Sequence, residues 1–186
     1  MENGSEQEKH KVYEPYKELS LELLAALPDD ELEQEILDYI FGKFTNARIA
    51  EMRLEIISSM PSGFQMIWFT DEFLLSVLHG GFNEFFYNGS DEITQMTFQY
   101  LEMIGATKYY ELLKQAVEAH QEEMHNPVMQ ELYSKQTLHG YSESYKLSSL
   151  KEYDDRFIKL GFRLDGLKVQ YIRSNLQSHP ESGTAQ

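Results

Sequence analysis

Apolar residues return at intervals of three and four along nearly the whole chain, and the strict alternation of a half-buried strand is scarce. Spacing that averages about 3.6 residues places side chains on one face of an α-helix. The chain is therefore read as all-α: a compact single-domain bundle of about seven to nine helices. Proline and glycine punctuate it. A first helix is expected over residues 14–26, burying Leu19, Leu23, Leu24 and Leu27 and stopped by Pro28. The next, 28-PDDELEQEILDYIFGKF-44, begins with acids, which a helix N-terminus favours, and presents Leu32, Ile36, Tyr39 and Ile40 on one side. A third helix over 47–60 would bury Ile49, Met52, Ile56 and Ile57. A fourth over 64–78 ends at Gly80-Gly81, and a short helical turn from Phe82 to Tyr87 follows. Ser90 or Asp91 caps a fifth helix, for which Gly105 is the stop. Further helices are expected over 107–124 and 128–137, then a loop opened by His139-Gly140-Tyr141, then helices over 147–160 and 165–176.

A chain of 186 residues, 41 % of them hydrophobic, is long and apolar enough to bury a core. One domain over 12–176 is expected, between a flexible N-terminal segment, 1–11, and a flexible polar tail, 177–186. The chain has no cysteine, which excludes disulfides, thiolate metal sites and a cysteine nucleophile and fits a reducing interior. Its first residues, MENGSEQEKHKVYE, contain no apolar h-region, and no run approaches the ~18 apolar residues of a membrane span. A cytoplasmic location and no membrane partner are expected.

The net charge is −15 and unevenly spread. Residues 1–42 hold twelve acids and three lysines, a net of −9, and residues 54–107 hold seven acids with no Lys or Arg. Almost all the excess lies in the first 107 residues. Phosphate-binding surfaces need the opposite sign, so direct nucleic-acid binding is not expected.

Motifs for catalysis are missing. The histidines of 120-HQEEMH-125 are five apart, with Gln121 where a zinc protease carries glutamate. No nucleophile elbow, phosphate-cradling loop or dinucleotide fingerprint is present. The 154-DD-155 pair adjoins Arg156 and reads as a helix face with local ion pairs. No catalytic residue, metal ligand or cofactor is assigned, and the chain is expected not to be an enzyme. A small-molecule or metal-dependent hydrolase is the weaker alternative.

What stands out is the carboxylates. Glu18, Glu22, Asp29, Asp30, Glu31, Glu33, Glu35 and Asp38 follow one another without an intervening base, and Asp71, Glu72, Asp91 and Glu92 lie in the window without Lys or Arg. These twelve form a candidate partner-binding surface. They could simply keep the chain soluble, or they could imitate the phosphates of a duplex, which carries one charge per about 1.7 Å of axis. Sequence spacing leaves both readings open.

The stretch 79-HGGFNEFFYNGSDE-92 packs aromatics beside two glycines. Phe82, Phe85 and Phe86 have helical spacing and are expected in the core, as the lock of a sharp corner. The longer stretch 77-VLHGGFNEFFYN-88 resembles the signature of a bacterial family, domain of unknown function 4375, whose described member is a DNA mimic protein. It matches at Val77, Gly80, Gly81, Phe82, Phe85, Phe86 and Asn88, with Leu78-His79 in place of a polar pair and Glu84 in place of glutamine. The blocks 101-LEMIGA-106, with Gly105, and 150-LKEYDDRFIKLGFRLDGLKVQYI-172, with Asp154 and Phe157, are similar to two further blocks of that family. The family-like core covers about residues 55–175, and the acidic first 45 residues lie outside it. The resemblance implies an all-α fold, a homodimer, and binding to a basic DNA-binding protein such as a transcription factor in place of DNA. An immunity protein neutralising a basic toxin is the alternative interaction reading.

Overall fold

The computed structural model describes residues 19–47, 49–161 and 164–176. The expected segments 1–11 and 177–186, the start of the first helix and Glu18 lie outside the described residues. All regular structure described is helical: α1 (Leu21–Ala26), α2 (Asp29–Lys43), a 3-10 turn (Phe44–Asn46), α3 (Ala50–Ser58), α4 (Ser62–Asn88), α5 (Asp91–Met103), α6 (Thr107–Glu123), α7 (Pro127–Ser134), α8 (Leu138–Leu147), α9 (Lys151–Leu160) and α10 (Leu164–Asn175).

The count exceeds the expected seven to nine because His139-Gly140-Tyr141 is the first turn of α8 rather than a loop. Thr137 caps that helix, its hydroxyl accepting from the Gly140 N–H at 3.0 Å. Gly140 is there for space. A Cβ would lie 2.6 Å from both the Leu132 carbonyl oxygen and the Tyr87 hydroxyl. The helix α3 is shorter than expected and presents less of its apolar face: Ile57 is buried and Ile56 half-buried, while Ile49 and Met52 are exposed.

The helix α4 is the axis of the bundle. It packs on α2, α3, α5, α8, α9 and α10, and its N-terminal two-thirds bury Phe64, Met66, Ile67, Trp68, Phe69, Phe73, Leu74 and Val77. Around it the stripes expected from spacing close the core. Leu32, Ile36 and Ile40 of α2 are fully buried, as are Tyr100 and Leu101 of α5 and Leu113 and Ala116 of α6. Acids occupy the first turns of α2 and α5, where the helix dipole favours them. Ser90 caps α5 as expected, its hydroxyl accepting from the Ile93 N–H at 3.2 Å. Gly105, at φ +69°, ends that helix.

Candidate functional site

The corner expected at Gly80-Gly81 is a bend inside α4. Gly80 has φ −142° and ψ 20°, and Gly81 has φ +74° and ψ −175°, a region open only to glycine. Helical geometry resumes at Phe82, whose N–H is left without an i−4 carbonyl at the restart. Asp154 of α9 supplies the acceptor: its Oδ1 takes the Phe82 N–H at 2.8 Å, across 72 residues of sequence. Gly81 makes this approach possible, since a Cβ there would stand 2.7 Å from the Asp154 carboxyl carbon. Burial raises the Asp154 pKa, the bond from Phe82 lowers it, and the neighbouring Asp155 adds to the rise. The pair 154-DD-155 is therefore divided: Asp154 turns inward to the corner and Asp155 is exposed, while Arg156 donates to Gln115 at 2.8 Å.

The rings lock the bend. Phe82 and Phe85 are buried, and both meet Phe73, at 6.0 and 5.2 Å between centroids. Phe157 of α9 packs edge-on against Phe73, Phe82 and Tyr109. Phe86 is half-buried and stacks on His120 at 4.4 Å, and burial lowers the pKa of that histidine. Val77 is buried one turn before the bend, and Asn88 is exposed at its far end. Asp154→Ala removes the acceptor at the helix restart and is expected to cost about 1–2 kcal/mol, the range for losing an N-cap. Urea denaturation checks this, and an unchanged midpoint would contradict a capping role.

The eleven candidate carboxylates among the described residues are not all on the surface. Glu22, Asp30, Glu31, Glu72, Asp91 and Glu92 are exposed. Asp29 is exposed too but is held by Arg173 of α10 at 2.9 Å, with the same guanidinium donating to the Leu24 and Leu27 carbonyls. Glu35 and Asp38 are half-buried, and Asp38 accepts from Gln34 at 2.7 Å. Two expectations are overturned. Asp71 is buried, and Glu33 is half-buried, because both are turned onto the ammonium group of Lys168.

Lys168 is fully buried, with Asp71 of α4 at 2.6 Å, Glu33 of α2 in direct contact and Asp165 at 3.3 Å. The charge of Lys168 is retained: burial opposes it, but the Asp71 and Glu33 carboxylates outweigh burial and raise its pKa. A cavity of about 480 Å³ opens beside this cluster on the α2–α10 seam, lined among others by Asp29, Asp30, Asp165 and Arg173. Among the described residues, no group of three or more His, Asp or Glu side chains is placed to hold a metal ion, and no helix is long and apolar enough to cross a membrane.

A family model described as DMP19-like protein matches residues 58–175. The chain belongs to that family. No curated protein and no solved structure matches it significantly. The span of this DMP19-like region begins just before α4 and ends with α10, so it contains both halves of the corner, Gly80 to Asn88 and Asp154 to Phe157. Two positions at which the corner departs from the family signature meet each other: His79 Nδ1 lies 3.1 Å from the Glu84 carboxylate, which the Tyr141 hydroxyl also approaches at 3.4 Å. The helices α1, α2 and α3 lie outside the span, apart from the last residue of α3. They are nonetheless part of the bundle, joined to the DMP19-like region by the α2 stripe, by Lys168 and by Arg173.

Sequence reasoning did not single out Lys168, Asn83 or Tyr133. Asn83 is buried beside the bend, donating to the Ser144 hydroxyl at 3.2 Å and accepting from the Tyr133 hydroxyl at 2.9 Å. For Lys168 a signal existed. It lies at i+4 from Leu164 and i−4 from Ile172, squarely in the buried stripe of α10.

Proposed function

We propose that the protein is a non-enzymatic, acidic interaction protein that occupies the DNA-binding surface of a basic DNA-binding protein, its exposed carboxylates standing where phosphates would. The observation that carries this reading is a pair of exposed acids at a helix start: Asp30 and Glu31 open α2 beside Asp29, which Arg173 holds. The exposed pair Asp91 and Glu92 opens α5 in the same manner, inside the window without Lys or Arg. Membership of the DMP19-like family supports the reading.

The test is capture of a partner from the source cell, followed by displacement of labelled duplex from that partner at low and high salt. Wild type is expected to displace DNA, with an affinity that falls steeply with salt, since exposed charges are screened over about 8 Å at physiological ionic strength. A variant carrying Asp30→Lys, Glu31→Lys, Asp91→Lys and Glu92→Lys is expected to lose displacement. Each of these acids sits in a first helical turn and contributes about 0.3–1 kcal/mol through the helix dipole, so thermal melting of the variant is followed alongside. Equal displacement by both proteins, or indifference to salt, would leave the carboxylates as a solubilising surface. Capture of a nuclease-like toxin instead of a DNA-binding regulator would replace mimicry with immunity.

A further inference from the structure

Lys168 is the buried cation among the described residues, and it is shared by more carboxylates than it can neutralise. Glu33 and Asp71 both bond its Nζ, so their own carboxyl groups face each other across a single ammonium. Two carboxylates crowded in this way do not both ionise freely, and a proton between them converts repulsion into a hydrogen bond. The Asp71 side chain keeps 12 % of its surface exposed and the Glu33 side chain 20 %, the latter at the seam. Glu33 is therefore the more accessible of the two to proton exchange. Its loss of charge leaves Lys168 with Asp71 in the interior and with the solvent-exposed Asp165 at the rim.

We propose that this cluster is a pH-operated tether for the acidic helix α2: protonated Glu33 holds α2 against α4 and α10, and ionised Glu33 leaves a net negative charge in the seam that eases α2 off the bundle. The other groups facing the seam do not cancel that charge. From α4 the group is Asp71, and from α10 they are Lys168, Asp165 and Arg173, the last committed to Asp29. The 3-10 turn packed on α2 carries no charge. Burial pushes the Glu33 carboxyl up to about 7, opposed by Lys168 and assisted by Asp71. The sign follows. With α2 released, Glu33 titrates near 4.5, so between about 4.5 and 7 the docked state binds the extra proton and docking weakens as pH rises.

The consequence for partner binding rests on the function proposed above, but the opening of α2 is measured without a partner, so the two fail separately. The experiment is amide hydrogen exchange at pH 6 and pH 8 on the full chain, corrected for the intrinsic pH dependence of exchange. A pKa of about 7 docked and 4.5 released predicts that the α2 opening constant rises about tenfold between these pH values. In Glu33→Gln the rise is expected to vanish, and α5 and α6 amides are expected to stay unchanged in both proteins. Overturning results are a flat wild-type α2, a rise retained in Glu33→Gln, or α5 and α6 opening in step with α2. Should Glu33→Gln not fold, carboxyl carbon NMR titration of wild type decides: a Glu33 midpoint near the ordinary glutamate value of about 4.3 overturns the proposal.

Discussion

Lys168→Ala is expected to destabilise the protein by about 3–5 kcal/mol at neutral pH, the range for removing one partner of a buried ion pair. The size comes from what is left behind. Asp71 remains buried and Glu33 half-buried, with no cation between them. Guanidinium denaturation at pH 7 and at pH 5 checks both the magnitude and its origin. The loss is expected to shrink at pH 5, because two carboxyls without a buried cation take up protons more readily folded than unfolded, and such groups weaken the fold as pH rises. Adding Asp71→Asn to Lys168→Ala is expected to recover part of the loss, since the most deeply buried carboxylate is then neutral and only the half-buried Glu33 is left to ionise in the seam. A loss under about 1 kcal/mol, or one indifferent to pH, would mean that Lys168 reaches water in solution.

Phe85→Ala is expected to cost about 3–5 kcal/mol, the range for truncating a buried phenylalanine. Phe85 is 2 % exposed and meets Phe73 at 5.2 Å and Phe86 at 5.4 Å, both edge-on. Its ring fills space between the part of α4 after the bend and the part before it. The cavity left by alanine cannot be closed by moving one helix alone, because Phe73 is also held by Phe82 and Phe157. Chemical denaturation measures the effect, and a loss below 1 kcal/mol would contradict the packing.

Much of the fold was legible because α-helices that line one core carry their burial as a period. The stripe Leu32, Ile36 and Ile40 was readable before any contact was known, and each of these residues is fully buried. The bend was legible as well: two adjacent glycines followed by Phe82, Phe85 and Phe86 demand a backbone change with an aromatic lock. Gly140 misled for an instructive reason. Glycine breaks a helix through conformational freedom but also admits a close neighbour, and only the position of Leu132 and Tyr87 tells which use is being made.

The candidate surface was less legible, because a carboxylate reads alike in sequence whether it faces water or a buried ammonium. Asp71 lies at i+4 from Ile67 and i−3 from Leu74, in the buried stripe of α4, just as Lys168 lies in that of α10. Each interruption alone resembles a flank residue. Their opposite signs identify a pair only once α4 and α10 are known to be neighbours. Asp154 is the same case: its local neighbour Arg156 suggested a surface pair, and the packing of α9 on α4 brought it to the Phe82 N–H instead.

By itself, then, the sequence determined the helical elements other than α8, the place of the bend and the excess of negative charge, all of which follow from local spacing and composition. Tertiary structure alone decided which carboxylates meet solvent and which meet Lys168, and which acceptor completes the restart of α4. Those outcomes depend on desolvation and on bonds between residues 72 to 135 positions apart, and no periodicity within one helix encodes which helix lies beside it.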